Sequence, residues 1–99
     1  MSAMQTRAAR LEAALTRAFS PTLMRVMDES ARHAGHTAAD PRGETHYKVL
    51  LVSEAFRGMS RVDRSRAVHA ALAHEFATGM HALSLTLHTP QEAAAAQKA

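Results

Sequence analysis

Two hydrophobic periods alternate along this chain, one of about 3.6 residues and one of about 2, and the switches between them mark its helices and strands. Ala8, Leu11, Leu15, Ala18 and Phe19 keep the helical period behind Ser2-Ala3-Met4-Gln5, which has the Ser-x-x-Gln form of a capping box. A first helix is predicted to run to about Phe19. Ser20-Pro21 ends it, because the residue before a proline is driven out of the helical region. Leu23 to Asp28 is short and apolar enough for a strand, with Asp28-Glu29-Ser30 as its polar exit. From Thr45 to Val52 the pattern alternates, with Tyr47, Val49 and Leu51 on one face and His46, Lys48, Leu50 and Val52 on the other. That mixed second face suits a central, partly covered strand.

Between these strands, Ala31 to Glu44 has no hydrophobic period and carries Gly35, Pro41 and Gly43 as breakers. It reads as a loop. Fourteen residues is long for a connection in a compact domain, loops of that length commonly carry function, and His33 and His36 sit inside this one. After a short turn at Glu54 to Gly58, Ser60-Arg61-Val62-Asp63 opens a second helix as another capping box. Val62, Ser65, Val68, Leu72 and Phe76 can share its buried side, and Gly79 is a left-handed stop. His81 to His88 has period two, placing His81, Leu83, Leu85 and Leu87 on one face of a third strand. Thr89-Pro90-Gln91-Glu92 is a third box with proline at the first helical position, leading into an Ala-rich tail that reads as a frayed helix at best.

The order helix, strand, strand, helix, strand predicts one α+β domain, αββαβ, over residues 1–90, with residues 91–99 as the tail. A small three-stranded mixed sheet carries the main helices on one face. Its first two strands pair antiparallel through the long loop, and the third arrives by a helical crossover, parallel to one of them.

Composition narrows the function. A chain of 99 residues has room for one core and one modest site, so a deep enzymatic cleft is hard to fit. It has no cysteine, which excludes disulfides, thiolate zinc fingers, a cysteine nucleophile and any iron-sulfur site built by this chain alone. Met1 to Arg17 breaks every short apolar run with a charge, which argues against a secretory signal or a membrane span and for a soluble, cytoplasmic protein. No nucleophile with base and orienter, no paired carboxylates and no Gly-rich phosphate cradle stands out, so no enzymatic activity is expected.

The net charge of +3 is ordinary for a soluble protein, but ten of the twelve cations are Arg. Arg57, Arg61, Arg64 and Arg66 surround Asp63, either as a solvated helix face or as planar forks for carboxylates or phosphates. Phe19, Tyr47 and Phe76 fall at core positions, so no base-stacking platform is expected. Seven histidines stand at 33, 36, 46, 69, 74, 81 and 88. His81 begins the third strand at the mouth of the sheet, either as a metal ligand or as a partly buried ring satisfied by a backbone carbonyl. His33 and His36, three apart with no cysteine or Glu partner, form no zinc signature and are solvated loop residues or ligands.

With these residues in view, the chain strongly resembles the BolA-like family. The matching segments are Phe19-Ser20-Pro21, Asp28-Glu29-Ser30 with His33 and Gly35-His36, Gly43-Glu44-Thr45-His46-Tyr47-Lys48-Val49, Val52-Ser53, Phe56-x-Gly58, and His81-Ala82-Leu83 before Thr89-Pro90. They run from about Leu11 to Pro90. Two positions depart: Ser65 stands where the family usually has His between basic residues, and Tyr47 where it usually has Phe. The resemblance implies a class II KH-like fold without the Gly-x-x-Gly loop, and heterodimers with monothiol glutaredoxins. Such pairs bridge a 2Fe-2S cluster or associate without one, and serve iron-sulfur delivery, maturation or iron regulation.

Carried over, His81 is the expected ligand of the last strand, and the second ligand comes from the loop before the second strand. His33 matches by its distance after Asp-Glu-Ser, His36 by the Gly-His pair, and His46 is a further candidate. The thiolates would come from the glutaredoxin and glutathione, since this chain has none. DNA-binding regulation is the alternative the resemblance implies, with Arg57, Arg61, Arg64 and Arg66 as phosphate contacts. Self-association into a homodimer stays open, and no membrane partner is expected.

Overall fold

The computed structural model describes residues 6–30 and 45–98; the expected Ser2 capping box and the loop with His33 and His36 lie outside them. Helix α1 (Arg7–Phe19) opens later than expected, at Thr6, whose side chain accepts the Ala9 N–H at 3.1 Å. It closes at Ser20, in the left-handed region at φ 45° and ψ 57°, whose N–H returns to the Thr16 carbonyl. Pro21 follows that cap, so the helix stops where the proline predicts, through a left-handed residue and not an extended one.

Strand β1 (Leu23–Asp28) pairs antiparallel with β2 (His46–Val52), from Leu23 opposite Val52 to Asp28 opposite Tyr47. Strand β3 (Ala82–His88) lies parallel to β2, from His46 beside Ala82 to Val52 beside His88. The order β1-β2-β3 puts β2 in the centre. Its inner residues Tyr47, Val49 and Leu51 are buried against Leu11 and Leu15 of α1 and against Phe56, Val68, Leu72 and Met80. Phe56, in a 3-10 turn over Glu54–Phe56, is fully buried with its ring 5.1 Å from that of Phe19. Removing a side chain of that size from water stabilises the fold by about 1.5–3 kcal/mol.

Helix α2 (Arg61–Ala71) is capped as predicted, Ser60 Oγ accepting the Asp63 N–H at 3.1 Å. The chain departs from helical geometry at Leu72 (φ −108°, ψ 16°) and continues as α3 (Ala73–Ala77) to Gly79, at φ 125°. Two expectations for this stretch need correction. Val62 is 57% exposed, and the buried positions of α2 are Arg64 and Val68, followed by Leu72, a stripe at four-residue spacing. Arg64 can be buried because its guanidinium is fully engaged. It bonds Glu92 at 2.6 and 3.0 Å and the Met59 and Leu87 carbonyls at 3.0 and 3.2 Å, and lies 5.8 Å over the Phe56 ring.

The second correction concerns the tail, which is a helix, α4 (Pro90–Lys98). Its capping box is reciprocal: Thr89 N–H donates to Glu92 Oε1 at 2.9 Å and Glu92 N–H to Thr89 Oγ1 at 3.2 Å. The Arg64 bond, then the Thr89 N–H, brings the Glu92 carboxyl from 4.5 down to about 2. A folded value below the unfolded one contributes stability that is complete above about pH 4.5 and lost as pH falls toward about 2. The Tm difference between the wild-type chain and Glu92→Gln should therefore be widest near neutrality and close in that acid window. A difference that stays constant with pH would show that the pair does not hold α4.

Candidate metal centre

The N-terminal ends of β2 and β3 meet at one corner of the sheet. The Thr45 carbonyl accepts the N–H groups of both His81 and Ala82, at 2.7 and 3.1 Å, which stitches the start of β3 to the residue before β2. That stitch brings two imidazoles together: the His46 and His81 ring centres are 6.0 Å apart, inclined at 52°. His46 is held from behind. The buried Ser30 hydroxyl accepts the N–H groups of Thr45 and His46 at 2.8 and 3.0 Å and lies 3.2 Å from Thr45 Oγ1. Asp28 Oδ1 in turn takes the Ser30 N–H at 2.9 Å. Thr45 Oγ1 also lies 2.8 Å from His46 Nδ1, so the ring orientation is set by a hydroxyl and a metal would be met at Nε2.

At a tetrahedral iron two imidazoles bound at about 2.1 Å hold their ring centres about 5.3 Å apart, so this pair stands within about 1 Å of the spacing that one metal requires. Among the described residues no group of three or more His, Cys, Asp or Glu could hold an ion. The corner thus offers a two-imidazole donor set, the kind that holds one iron of a Rieske-type cluster while thiolates hold the other.

The remaining candidates, His33 and His36, lie outside the described residues, and His88 and His69 have contacts of their own. His88 lies at the opposite end of β3, with Nδ1 3.9 Å from Glu92 Oε1. His69 stacks on Phe76 at 5.2 Å, and its Nδ1 donates to the Ser65 carbonyl at 2.9 Å. His81 itself is exposed, and among the described residues no backbone carbonyl holds its ring. The arginine cluster divides too. Arg64 is 8% exposed and locked to Glu92, whereas Arg57, Arg61 and Arg66 are exposed, Arg57 pairing with Glu54 at 2.7 Å and Arg66 with Asp63 at 3.8 Å. Arg64 is therefore a structural cation and not one of four open forks. Ser30 and Thr45 are the residues whose part in the corner the sequence reading does not assign. Their signal was the Asp-Glu-Ser and Glu-Thr-His runs, in which a serine and a threonine flank the loop.

Among the described residues no helix is long and apolar enough to cross a membrane. Residues 15–92 match the family model described as BolA-like protein. Protein BOLA1, chloroplastic, of Arabidopsis thaliana is 40% identical over 92 residues, covering 91% of this chain but 58% of that protein, so this chain spans less than two thirds of its length. The DNA-binding transcriptional regulator BolA of Escherichia coli (strain K12) is 40% identical over 83 residues, covering 84% of this chain and 75% of that one. Among solved structures, the BolA domain of SufE1 from Arabidopsis thaliana superposes with a TM-score of 0.80 at 39% identity, over 91% of this chain and 99% of that one. A three-stranded mixed sheet with helices, a family match from α1 into α4 and a close superposition agree, and the chain belongs to the BolA-like family.

Proposed function

We propose that this chain pairs with a monothiol glutaredoxin and lends imidazole ligands to a 2Fe-2S cluster held between the two proteins, serving iron-sulfur delivery or iron regulation. The observation that carries this reading is the His46–His81 pair at the start of two adjacent parallel strands, 6.0 Å between rings. The segment bearing His33 and His36 leaves at Ser30 and returns at Thr45, and Ser30 Oγ and Thr45 N–H are bonded at 2.8 Å, so that segment starts and ends at the same corner. Having no cysteine, the chain contributes nitrogen only, and the partner's cysteine and glutathione contribute sulfur. When bound, a cluster with histidine on one iron supplies one-electron chemistry at a raised, proton-sensitive potential. His81, immediately before β3, fills one of the two nitrogen positions on that iron, and the other falls to His46, oriented by Thr45, or to His33 or His36.

The test is to add the chain to a cluster-loaded monothiol glutaredoxin with glutathione and record visible absorbance and circular dichroism. The wild-type chain should alter both spectra and His81→Ala should not. An unaltered spectrum with the wild type would overturn the cluster reading, and an equal change with His81→Ala would remove His81 from it. A second reading is favoured by the name of the Escherichia coli relative and by the exposed Arg57, Arg61 and Arg66. It requires duplex DNA binding whose logarithmic salt slope approaches about 0.9 per phosphate contacted. Absence of binding at low salt disposes of it.

A further inference from the structure

Strand β3 is an edge of the sheet, and hydrogen bonding shows which of its backbone groups face outward. The Ala82 N–H bonds the Thr45 carbonyl and the His88 carbonyl takes the Ser53 N–H, so the even-numbered residues of β3 direct their backbone groups toward β2. The N–H and C=O groups of Leu83, Leu85 and Leu87 therefore point out of the sheet. The Leu87 carbonyl confirms this by accepting from Arg64 Nη1 of α2 at 3.2 Å. Between this edge and α2 runs a groove of about 870 Å³, flanked by Met59, Arg61, Ser65 and His69. The Leu83, Leu85 and Leu87 side chains are half-buried along it, and among the described residues no strand pairs with β3 on this side.

We infer that an extended segment of a partner protein, with aliphatic and acidic side chains together on one of its faces, adds to β3 as a fourth strand and turns that face to the groove against α2. An open edge supplies evenly spaced donors and acceptors that recognise any extended backbone, and the pockets beside it choose the side chains. Here the choice follows from charge and apolarity. Arg61 and His69 on α2 and His88 on β3 line the groove, and the carboxylate there, Glu92, is already engaged by Arg64. The half-buried leucines lie on the face of the sheet that α2 covers, so the side chains that the added strand turns to that face, every second one, combine aliphatic groups over the leucines with a carboxylate toward Arg61 and His69. A nucleic acid fits the groove less well, because among the described residues no Phe, Tyr or Trp lines it for base stacking. The inference is independent of the cluster reading.

The experiment titrates the isotope-labelled full chain with the short peptide Thr-Val-Thr-Glu-Thr-Val-Thr, whose valines and glutamate share one face. The amides of Leu83, Leu85, Ser65 and His69 should shift, and hydrogen exchange should slow at Leu83 and Leu85. Only one alternate set of peptide amides faces β3. N-methylation of that set, whether the threonines or the valine and glutamate positions, should weaken binding at least tenfold while methylation of the other set leaves it unchanged. Arg61→Glu should weaken binding several-fold, and His81→Ala should not affect it. Equal tolerance of both methylated sets would overturn strand addition. So would a peptide that moves none of these amides while a single-stranded oligonucleotide moves them.

Discussion

Replacing Glu75 with alanine is expected to destabilise the domain by about 3–5 kcal/mol, the cost typical of breaking one side of a buried ion pair. The Glu75 side chain on α3 is 7% exposed and receives Arg7 Nη1 at 2.7 Å and Arg10 Nε at 3.0 Å, joining α3 to α1 across 68 and 65 residues of sequence. Arg7 does more than neutralise it. Its guanidinium also donates to the Glu75 and Thr78 carbonyls, each at 3.0 Å, and so caps the C-terminal end of α3. Burial alone would raise the Glu75 pKa, but the Arg10 bond and the charges of Arg10 and Arg7 outweigh it and hold the carboxyl below its ordinary value. The pair is therefore ionised at neutral pH, and the alanine variant leaves Arg7 buried without its carboxylate. Against a total of about 5–15 kcal/mol for a domain of this size, that loss would leave little reserve. Urea unfolding measures it, with Glu75→Gln as the intermediate case that keeps an acceptor and loses the charge. A loss below about 1 kcal/mol for Glu75→Ala would mean that water or a neighbour compensates, and that this cluster does not fasten α1 to α3.

That ion pair also marks the boundary of what the amino-acid pattern could reveal. The extents of β1 and β2 and the C-terminal end of α1 follow from a short apolar run, from alternation and from Pro21, signals that reside within a few residues. Arg64 and α4 are different. Whether an arginine on a helix is solvated or buried depends on whether a carboxylate arrives to meet it, and Glu92 arrives from 28 residues downstream. Without that contact the Ala-rich segment reads as frayed and Val62 as the apolar residue to bury. The same logic governs the histidines. His81 was visible as a residue at the mouth of the sheet, but its neighbour depends on the register of a parallel pair, which alternation within single strands leaves open. With His46 beside Ala82 the two rings converge. Nothing in the spacing of positions 46 and 81 carries that information.

Ser30→Ala should cost about 2–4 kcal/mol, because it strips the common acceptor from two backbone N–H groups at a buried position, each worth about 1–3 kcal/mol when left unmade. Ser30 is 2% exposed, and its hydroxyl takes the Thr45 and His46 N–H groups at 2.8 and 3.0 Å, pinning the start of β2 to the end of β1. The variant also loosens the backbone that carries His46, so lost stability and lost ligand placement arrive together. Thr45→Val separates them. It keeps the backbone bonds but removes the oxygen that lies 2.8 Å from His46 Nδ1 and 3.2 Å from Ser30 Oγ, so the ring loses its orienting partner at a cost of about 0.5–1.5 kcal/mol, less than Ser30→Ala. Losing such an outer partner typically lowers metal affinity by about 10–100-fold. In the spectroscopic titration with a cluster-loaded glutaredoxin, Thr45→Val should therefore weaken the response at least tenfold while lowering urea stability by no more than about 1.5 kcal/mol. The His46 ring resonances should shift and broaden even without the partner. Unchanged ring resonances and an unchanged titration in Thr45→Val would mean that Thr45 does not position His46, and would leave His46 a neighbour of the site with no role as a ligand.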